Sequence, residues 1–330
     1  MSRPPFSTTA EANACPDALG QIWFGALPQP ATPLPRLCVH APLLRAAEGA
    51  GLGECWAPGG GATQTGTQQN IHYRHNDTAL FGVLELKETD PAALATQSDA
   101  LYRQIFALMA ATGFPHLWRT WNYLPDIHAE PGGLERYRQF NLGRQAAFDA
   151  ESRAAAQHAP AACALGVSPD AGVIQIAFLA GRRAPIRLEN PRQTSAYHYP
   201  REYGPQSPTF SRATLVPLPD ADLLLISGTA SIVGHQSRHP GSVRAQTRET
   251  LANLSALLGE ANAHRPEGFG FRLSQLAYRI YVRHPADTDA VARELAVCLG
   301  TGLNLSFVQA DVCRQELLVE MEATGVLPRP

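Results

Sequence analysis

Near the C-terminus, the stretch ELLVEMEATG (Glu316 to Gly325) sets two carboxylates, Glu320 and Glu322, into an apolar run. Side chains alternate across a β-strand, so Val319 and Met321 share one face while Glu320 and Glu322 share the other. In QLAYRIYVRH the same parity separates Ile280 and Val282 from Arg279, Tyr281 and Arg283. Two acids and two guanidiniums on one sheet face make either an ion-pair network between domains or a polar site. Buried charge needs partners in both cases, and the sequence leaves both readings open. A third stretch, SAYHYPREYGPQSPTFSRA, interleaves Tyr197, Tyr199, Tyr203, Arg201 and Arg212 with Pro and Gly. A rigid loop of phenols and guanidiniums suits an anionic organic ligand. Cys313 is either a nucleophile or a small core residue. His235 and His239 have metal-ligand spacing only if helical, and the Gly and Pro around them indicate a loop with no third ligand near, so no metal is expected. The glycines at 51–53 and 59–61 lack the strand-then-helix setting of a phosphate loop and read as turns.

The elements that must carry these residues are legible from about residue 76. TALFGVLELKE reads as a strand, Pro91 to Gly113 as a helix with Pro at its start and Gly at its end, and HLWRTWNYL as a second strand. GGLERYRQFNLGRQAAFDAESRAAA reads as a second helix, and GVIQIAFLAG as a strand. The C-terminal third repeats that order. LVPLPDADLLLISGTAS gives two strands about a turn, and SVRAQTRETLANLSALLGEA a helix with Val243, Leu251, Leu254 and Leu258 inward. QLAYRIYVRH, TDAVARELAVCLG, LNLSFVQAD and ELLVEMEA follow as strand, helix, strand and strand. The repeated β-α-β-α-β-β unit predicts α+β sheets with helices on one face. The divisions expected are a divergent N-terminal region over residues 1–75, a central domain over 76–205 and a C-terminal domain over 206–330. If helices cover Val319 and Met321, then Glu320 and Glu322 face an inter-domain surface.

Composition narrows the function class. With 45% hydrophobic and 17% charged residues in 330, the chain can bury a core in each of two or three domains. A net charge of -2 provides no general attraction to nucleic acid or to an anionic membrane. Positive charge is carried by arginine, Lys87 being the sole lysine. The six cysteines form no C-x-x-C pair, and no signal peptide or membrane-length run is present, so a soluble cytoplasmic protein with reduced thiols is expected.

The stretches RTWNYLPDI, GLERYRQFNLGR, ENPRQTSAYHYP, YGPQSPTFSRA, GTASIVGH and LLVEMEATG, in that order, resemble the chorismatase family from about residue 70 onward. The last 120 or so residues also resemble the RidA/YjgF fold. The resemblance implies three RidA-like domains in pseudo-threefold arrangement within one chain, with the active site between the central and C-terminal domains. It implies that Glu320 protonates the methylene carbon of chorismate's enol ether, which requires an acid still protonated at neutral pH. Arg279 and Arg283 are then assigned to the substrate carboxylates, with Arg212, Tyr199 and Tyr203 orienting the ring. Gly228, before TAS, and Cys313, seven residues before the acid, are the residues found in members that take the aromatising route. The expected reaction is chorismate to 3-hydroxybenzoate and pyruvate, with some 4-hydroxybenzoate, and needs neither metal nor redox cofactor. The alternatives are hydrolysis to a dihydroxycyclohexadiene acid, a RidA-type imine or enamine hydrolase, and a non-catalytic ligand-binding protein. The second is disfavoured because LNLSFVQAD lacks the arginine those enzymes carry on the penultimate strand. A closed pseudo-trimer has little reason to oligomerise, so a monomer is expected.

Overall fold

The computed structural model of the chain describes residues 5–11, 14–26, 34–47, 49–168 and 172–329. Most of the Pro-rich stretch at 26–37 thus lies outside the described residues. The N-terminal part supplies β1 (Phe6–Thr9), β2 (Gly20–Gly25), β3 (Arg36–Cys38), β4 (Leu43–Leu44) and β5 (Gly51–Trp56). The central part follows as β6 (Gln64–Gln68), β7 (Ile71–His75), β8 (Ala79–Lys87), α1 (Leu94–Thr112), β9 (His116–Pro125), α2 (Arg136–Ala150), the single turn α3 (Ala155–His158), β10 (Ala161–Val167) and β11 (Val173–Gly181). The C-terminal part comprises β12 (Ile186–Leu188), β13 (Ala213–Pro217), β14 (Ala221–Ala230), the small hairpin β15 (Ile232–Val233) and β16 (Gln236–Ser237), α4 (Val243–Asn262), β17 (Ala277–Val282), α5 (Thr288–Leu299), β18 (Asn304–Gln309) and β19 (Val319–Pro328).

The repeated β-α-β-α-β-β unit is present in both sheets. The central sheet runs β10-β9-β11-β8-β7-β6, and the C-terminal sheet β18-β17-β19-β14-β13-β12, with β4 added beyond β18. Four of the five N-terminal strands form a third sheet, β3-β2-β5-β1, whose parallel and antiparallel pairings match the first four strands of the other two. Helices α1 and α2 cover one face of the central sheet, burying Tyr102, Phe106, Phe140 and Phe148, and α4 and α5 do the same for the C-terminal sheet through Leu254, Leu258, Val291 and Leu295. The opposite faces of all three sheets meet in one common core that includes Ile22, Phe24, Phe81, Trp121, Leu225 and Tyr281. This is an α+β chain with three sheets around an internal pseudo-threefold axis. Among the described residues no helix is long and apolar enough to cross a membrane.

Three expectations are corrected. Strands β6 and β7 belong to the central sheet, and β12 to the C-terminal one, so strand membership changes before residues 75 and 205. Short polar strands such as QTGTQ at β6 carry no alternating apolar signal, because an edge strand can leave both faces wet. Strand β10, AACALGV, was unread because its small residues resemble neither a helix face nor a β-branched run. The cysteines are not all free: Cys15 and Cys55 are disulfide-bonded across a sequence separation of 40. The loop before β2 runs back along the end of β5, where the Leu19 N–H donates to the Trp56 carbonyl at 2.7 Å, and that contact brings the two cysteines together.

Candidate active site

Strand β19 pairs with β14 on one side and β17 on the other, with Glu320 opposite Tyr281 and Glu322 opposite Arg279. Val319 and Met321 enter the helix-covered core, so the two acids face the seam between sheets. The β14 ladder skips between Ile226 and Thr229, leaving Ser227 and Gly228 as a bulge beside Glu322. The bulge is tied down rather than loose. The Ser227 hydroxyl donates to the Ser211 carbonyl at 2.6 Å and accepts from the Ala162 N–H of β10 at 2.8 Å, while Arg119 Nη1 donates to the Ile226 carbonyl at 2.7 Å. Gly228 lies against Glu320 so closely that a Cβ there would stand 1.9 Å from the Glu320 Oε1. Its missing side chain therefore makes room for the carboxyl itself.

The two glutamates have opposite environments. Glu322 is 2.8 Å from Arg119 Nη2 and 3.4 Å from Arg279 Nη1, and accepts from Trp121 Nε1 at 3.0 Å and from the Tyr281 hydroxyl at 2.9 Å. Burial alone would push its carboxyl up, but the two guanidiniums and the bonds from Cys163 and Tyr281 outweigh that and hold it below the usual range. Glu320 is only 4% exposed, and burial together with the charge of Glu322 pushes its carboxyl up to about 8, against the pull of Arg119. An ionised carboxylate beside a protonated one is how neighbouring acids divide donor and counter-ion roles.

Glu320 forms part of the wall of a cleft of about 380 Å³ between the central and C-terminal sheets. Gly228, Cys313, Tyr199, Tyr203 and Arg212 line the same cleft. A recess of about 30 Å³ adjoins it through Gly228, Cys313 and Glu320, and reaches Arg144, Tyr137 and Cys163 of the central part. Burial, reinforced by the charge of Glu320, pushes the Cys313 thiol up to about 12, and a hydrogen bond with Tyr137 opposes this only partly. Cys313 thus enters any reaction as a neutral thiol. Arg212 donates Nη2 to the Tyr199 hydroxyl at 2.8 Å and to the Thr194 carbonyl at 2.6 Å. Arg314 stacks over Tyr203 at 4.0 Å from the ring centre and donates to the His235 carbonyl at 2.9 Å. Arg212 Nε, Arg314 Nη2 and Arg144 Nε are buried donors that find no acceptor among the described residues. Guanidiniums in a cleft wall suit carboxylates, and Arg212 and Arg314 stand in this wall, with Arg144 in the adjoining recess.

Arg279 and Arg283, expected to bind substrate, do not line this cleft. Arg279 is turned away from it toward the N-terminal sheet, pairing with Glu54 through Nε at 2.9 Å and through Nη2. Arg283 staples the turn before β19, donating to the carbonyls of Leu317, Val312 and Arg314 at 2.9, 3.0 and 2.9 Å, and pairing with Asp311 at 2.5 Å. Sequence reasoning missed Arg314, Arg144 and Tyr137. Tyr137 and Arg144 are seven residues apart, two turns along one face of α2, a spacing that was available to find them. His235 and His239 sit around the β15–β16 hairpin with different partners, Tyr203 at 3.2 Å and Glu249 at 3.1 Å. Among the described residues no group of three His, Cys, Asp or Glu side chains could hold a metal ion.

A protein from Streptomyces rapamycinicus named Chorismatase is 35% identical to this chain over 295 residues, covering 87% of the chain and 85% of that relative. The chain belongs to the chorismatase family. A chorismatase crystal structure superposes with a TM-score of 0.85 at 32% identity, covering 98% of this chain and 99% of that one. The family model described as chorismatase FkbO/Hyg5-like, N-terminal, matches residues 54–180, which run from β5 almost to the end of β11. A relative from Streptomyces hygroscopicus, named 3-hydroxybenzoate synthase, is 34% identical over 268 residues, 79% of the chain and 77% of the relative.

Proposed function

We propose that the chain converts chorismate to 3-hydroxybenzoate and pyruvate, with Glu320 as the acid. The observation that carries this reading is a buried carboxyl kept protonated near neutral pH and opening on a cleft lined by the guanidiniums of Arg212 and Arg314. Chorismate carries two carboxylates, and Arg212 and Arg314 are assigned to them, with Arg144 in the deeper recess; Tyr199 and Tyr203 pack beside the first two and orient the ring. Glu320 gives its proton to the enol-ether methylene, and the positive charge that develops at the adjacent ether carbon is countered by the carboxylate left behind and by ionised Glu322.

The charged intermediate then partitions. Water captured at the ether carbon releases pyruvate, leaving the ring oxygens in place, and a ring that goes on to lose its 4-hydroxyl as water gives 3-hydroxybenzoate, so the net reaction adds no water. Loss of the ether oxygen instead gives 4-hydroxybenzoate. Gly228 and Cys313 support the aromatising route: the first lets the Glu320 carboxyl stand where it does, and the second offers a weak, uncharged donor beside it. A relative named 3-hydroxybenzoate synthase supports the same product, and relatives named only Chorismatase keep hydrolysis to the diene as the second reading. Chromatography of a chorismate incubation separates them. A hydroxybenzoate with equimolar pyruvate is expected; the diene as sole product would overturn the aromatising assignment, and no pyruvate at all would overturn the substrate.

A further inference from the structure

We infer that Glu54, in the N-terminal sheet and outside the cleft, is a positioning residue for this reaction: by pairing with Arg279 it keeps the buried charges behind Glu322 in balance and so keeps Glu320 in its acid form. The inference rests on the proposed role of Glu320 and adds to it a part for the N-terminal sheet, none of whose described residues lines the cleft.

The geometry is a line of alternating charge. Glu54 of β5 grips Arg279 of β17 through both Nε and Nη2, leaving Nη1 to reach the hydroxyls of Tyr123 at 2.8 Å and Tyr281 at 2.9 Å and, more distantly, Glu322 at 3.4 Å. Arg119 of β9 takes the closer place on Glu322. Glu54, Arg119, Arg279 and Glu322 are each no more than 5% exposed, so water screens them little. Two acids and two guanidiniums sum to zero. Around Glu320 the other groups include the thiols of Cys163 and Cys313 and the phenols of Tyr281 and Tyr137, all pushed up by burial and uncharged near neutral pH, together with Glu135 just ahead of α2, Arg144 on α2, Arg212 just ahead of β13, and Arg314 and Glu316 in the turn before β19. If Glu54 lost its charge, the inner cluster would carry a net positive charge, Arg279 would be free to close on Glu322, and Glu320 would give up its proton at lower pH. Loss of the Arg279 charge would act in the opposite sense.

The test is the pH profile of kcat/KM for pyruvate release from chorismate by the full chain. The Glu54→Gln variant should lose its alkaline activity about one pH unit earlier than wild type, a roughly tenfold deficit on that limb that shrinks as the pH falls. Arg279→Gln should move the limb to higher pH, and Glu54→Gln with Arg279→Gln, which leaves no buried charge unpaired, should bring it back. If either single variant fails to fold, the direction of the other still decides. A merely structural Glu54 would lower stability and leave every limb where it was, and that result, or a double variant displaced as far as the Glu54 single, overturns the inference. Glu320 titration can also be followed without substrate, from the pH dependence of the Tm difference between each chain and its Glu320→Gln counterpart. Movement there in a chain that does not turn over chorismate would leave the electrostatic line standing and remove the assigned reaction instead.

Discussion

A carboxyl that titrates near 8 inside a protein affects stability as well as reactivity. Glu320 binds its proton more tightly folded than unfolded, so its favourable contribution is complete below about 4.5, the ordinary carboxyl value, declines as pH rises from there, and is gone above about 8. Glu320→Gln should therefore lose at least about 100-fold in turnover, yet gain in Tm over wild type by a margin that widens between pH 5 and pH 8 and then levels; a flat Tm difference would mean that Glu320 is not the buried acid described. Turnover by wild type should fall through the same region. Gly228→Ala puts a methyl group where the carboxyl lies. The carboxyl must swing aside, and an ångström of displacement at a proton donor costs up to about 100-fold, so turnover should drop and the ratio of aromatic to diene product should change on chromatography; unchanged products at full rate would remove Gly228 from the site. At this scale the sequence was informative about the acids and not about their partners. Strand parity turned Glu320 and Glu322 away from the helices, but parity cannot say that Glu54, some 225 positions from Arg279, would claim it.

The element that presents Cys313 and Arg314 to the cleft is an irregular turn, and Arg283 holds it by three carbonyls and a carboxylate. Arg283→Ala leaves three carbonyls without their donor, and since the Asp311 carboxylate is half exposed the loss comes mainly from those hydrogen bonds, about 1–3 kcal/mol. Thermal melting should show the loss, and the Michaelis constant should rise only as far as the loosened turn displaces Arg314; a large rise in that constant with no change in Tm would restore Arg283 to the substrate. The regular elements from β8 onward were largely legible, because long helices with Pro and Gly at their ends and strands of β-branched and aromatic residues leave strong periodic signals. Strand β10 and the β14 bulge were not. One is built of small residues, and the other is a register shift of one residue that no local pattern announces, although it sets Gly228 against Glu320.

For the whole molecule, the three sheets share one core, so the N-terminal strands are structural to the site even though they do not line it. The Cys15–Cys55 bond tethers the loop ahead of β2 to the end of β5, the strand that carries Glu54. Closing a loop of that size contributes about 2–4 kcal/mol; Cys15→Ser, or wild type melted with excess reductant, should show a lower Tm, and equal melting in oxidant and reductant would mean that the bond is not formed in solution. The third sheet was implied by the family resemblance alone, because its short strands, set among Pro and Gly, leave no periodic pattern of their own. Linking three like sheets in one chain has a hereditary consequence. In a ring of three identical subunits every substitution appears at all three seams at once, and a change that suits one must be tolerated by the others. Here each seam is encoded separately, so mutation can try new residues around the cleft without disturbing the other two, and a change of product demands no concession from the rest of the ring.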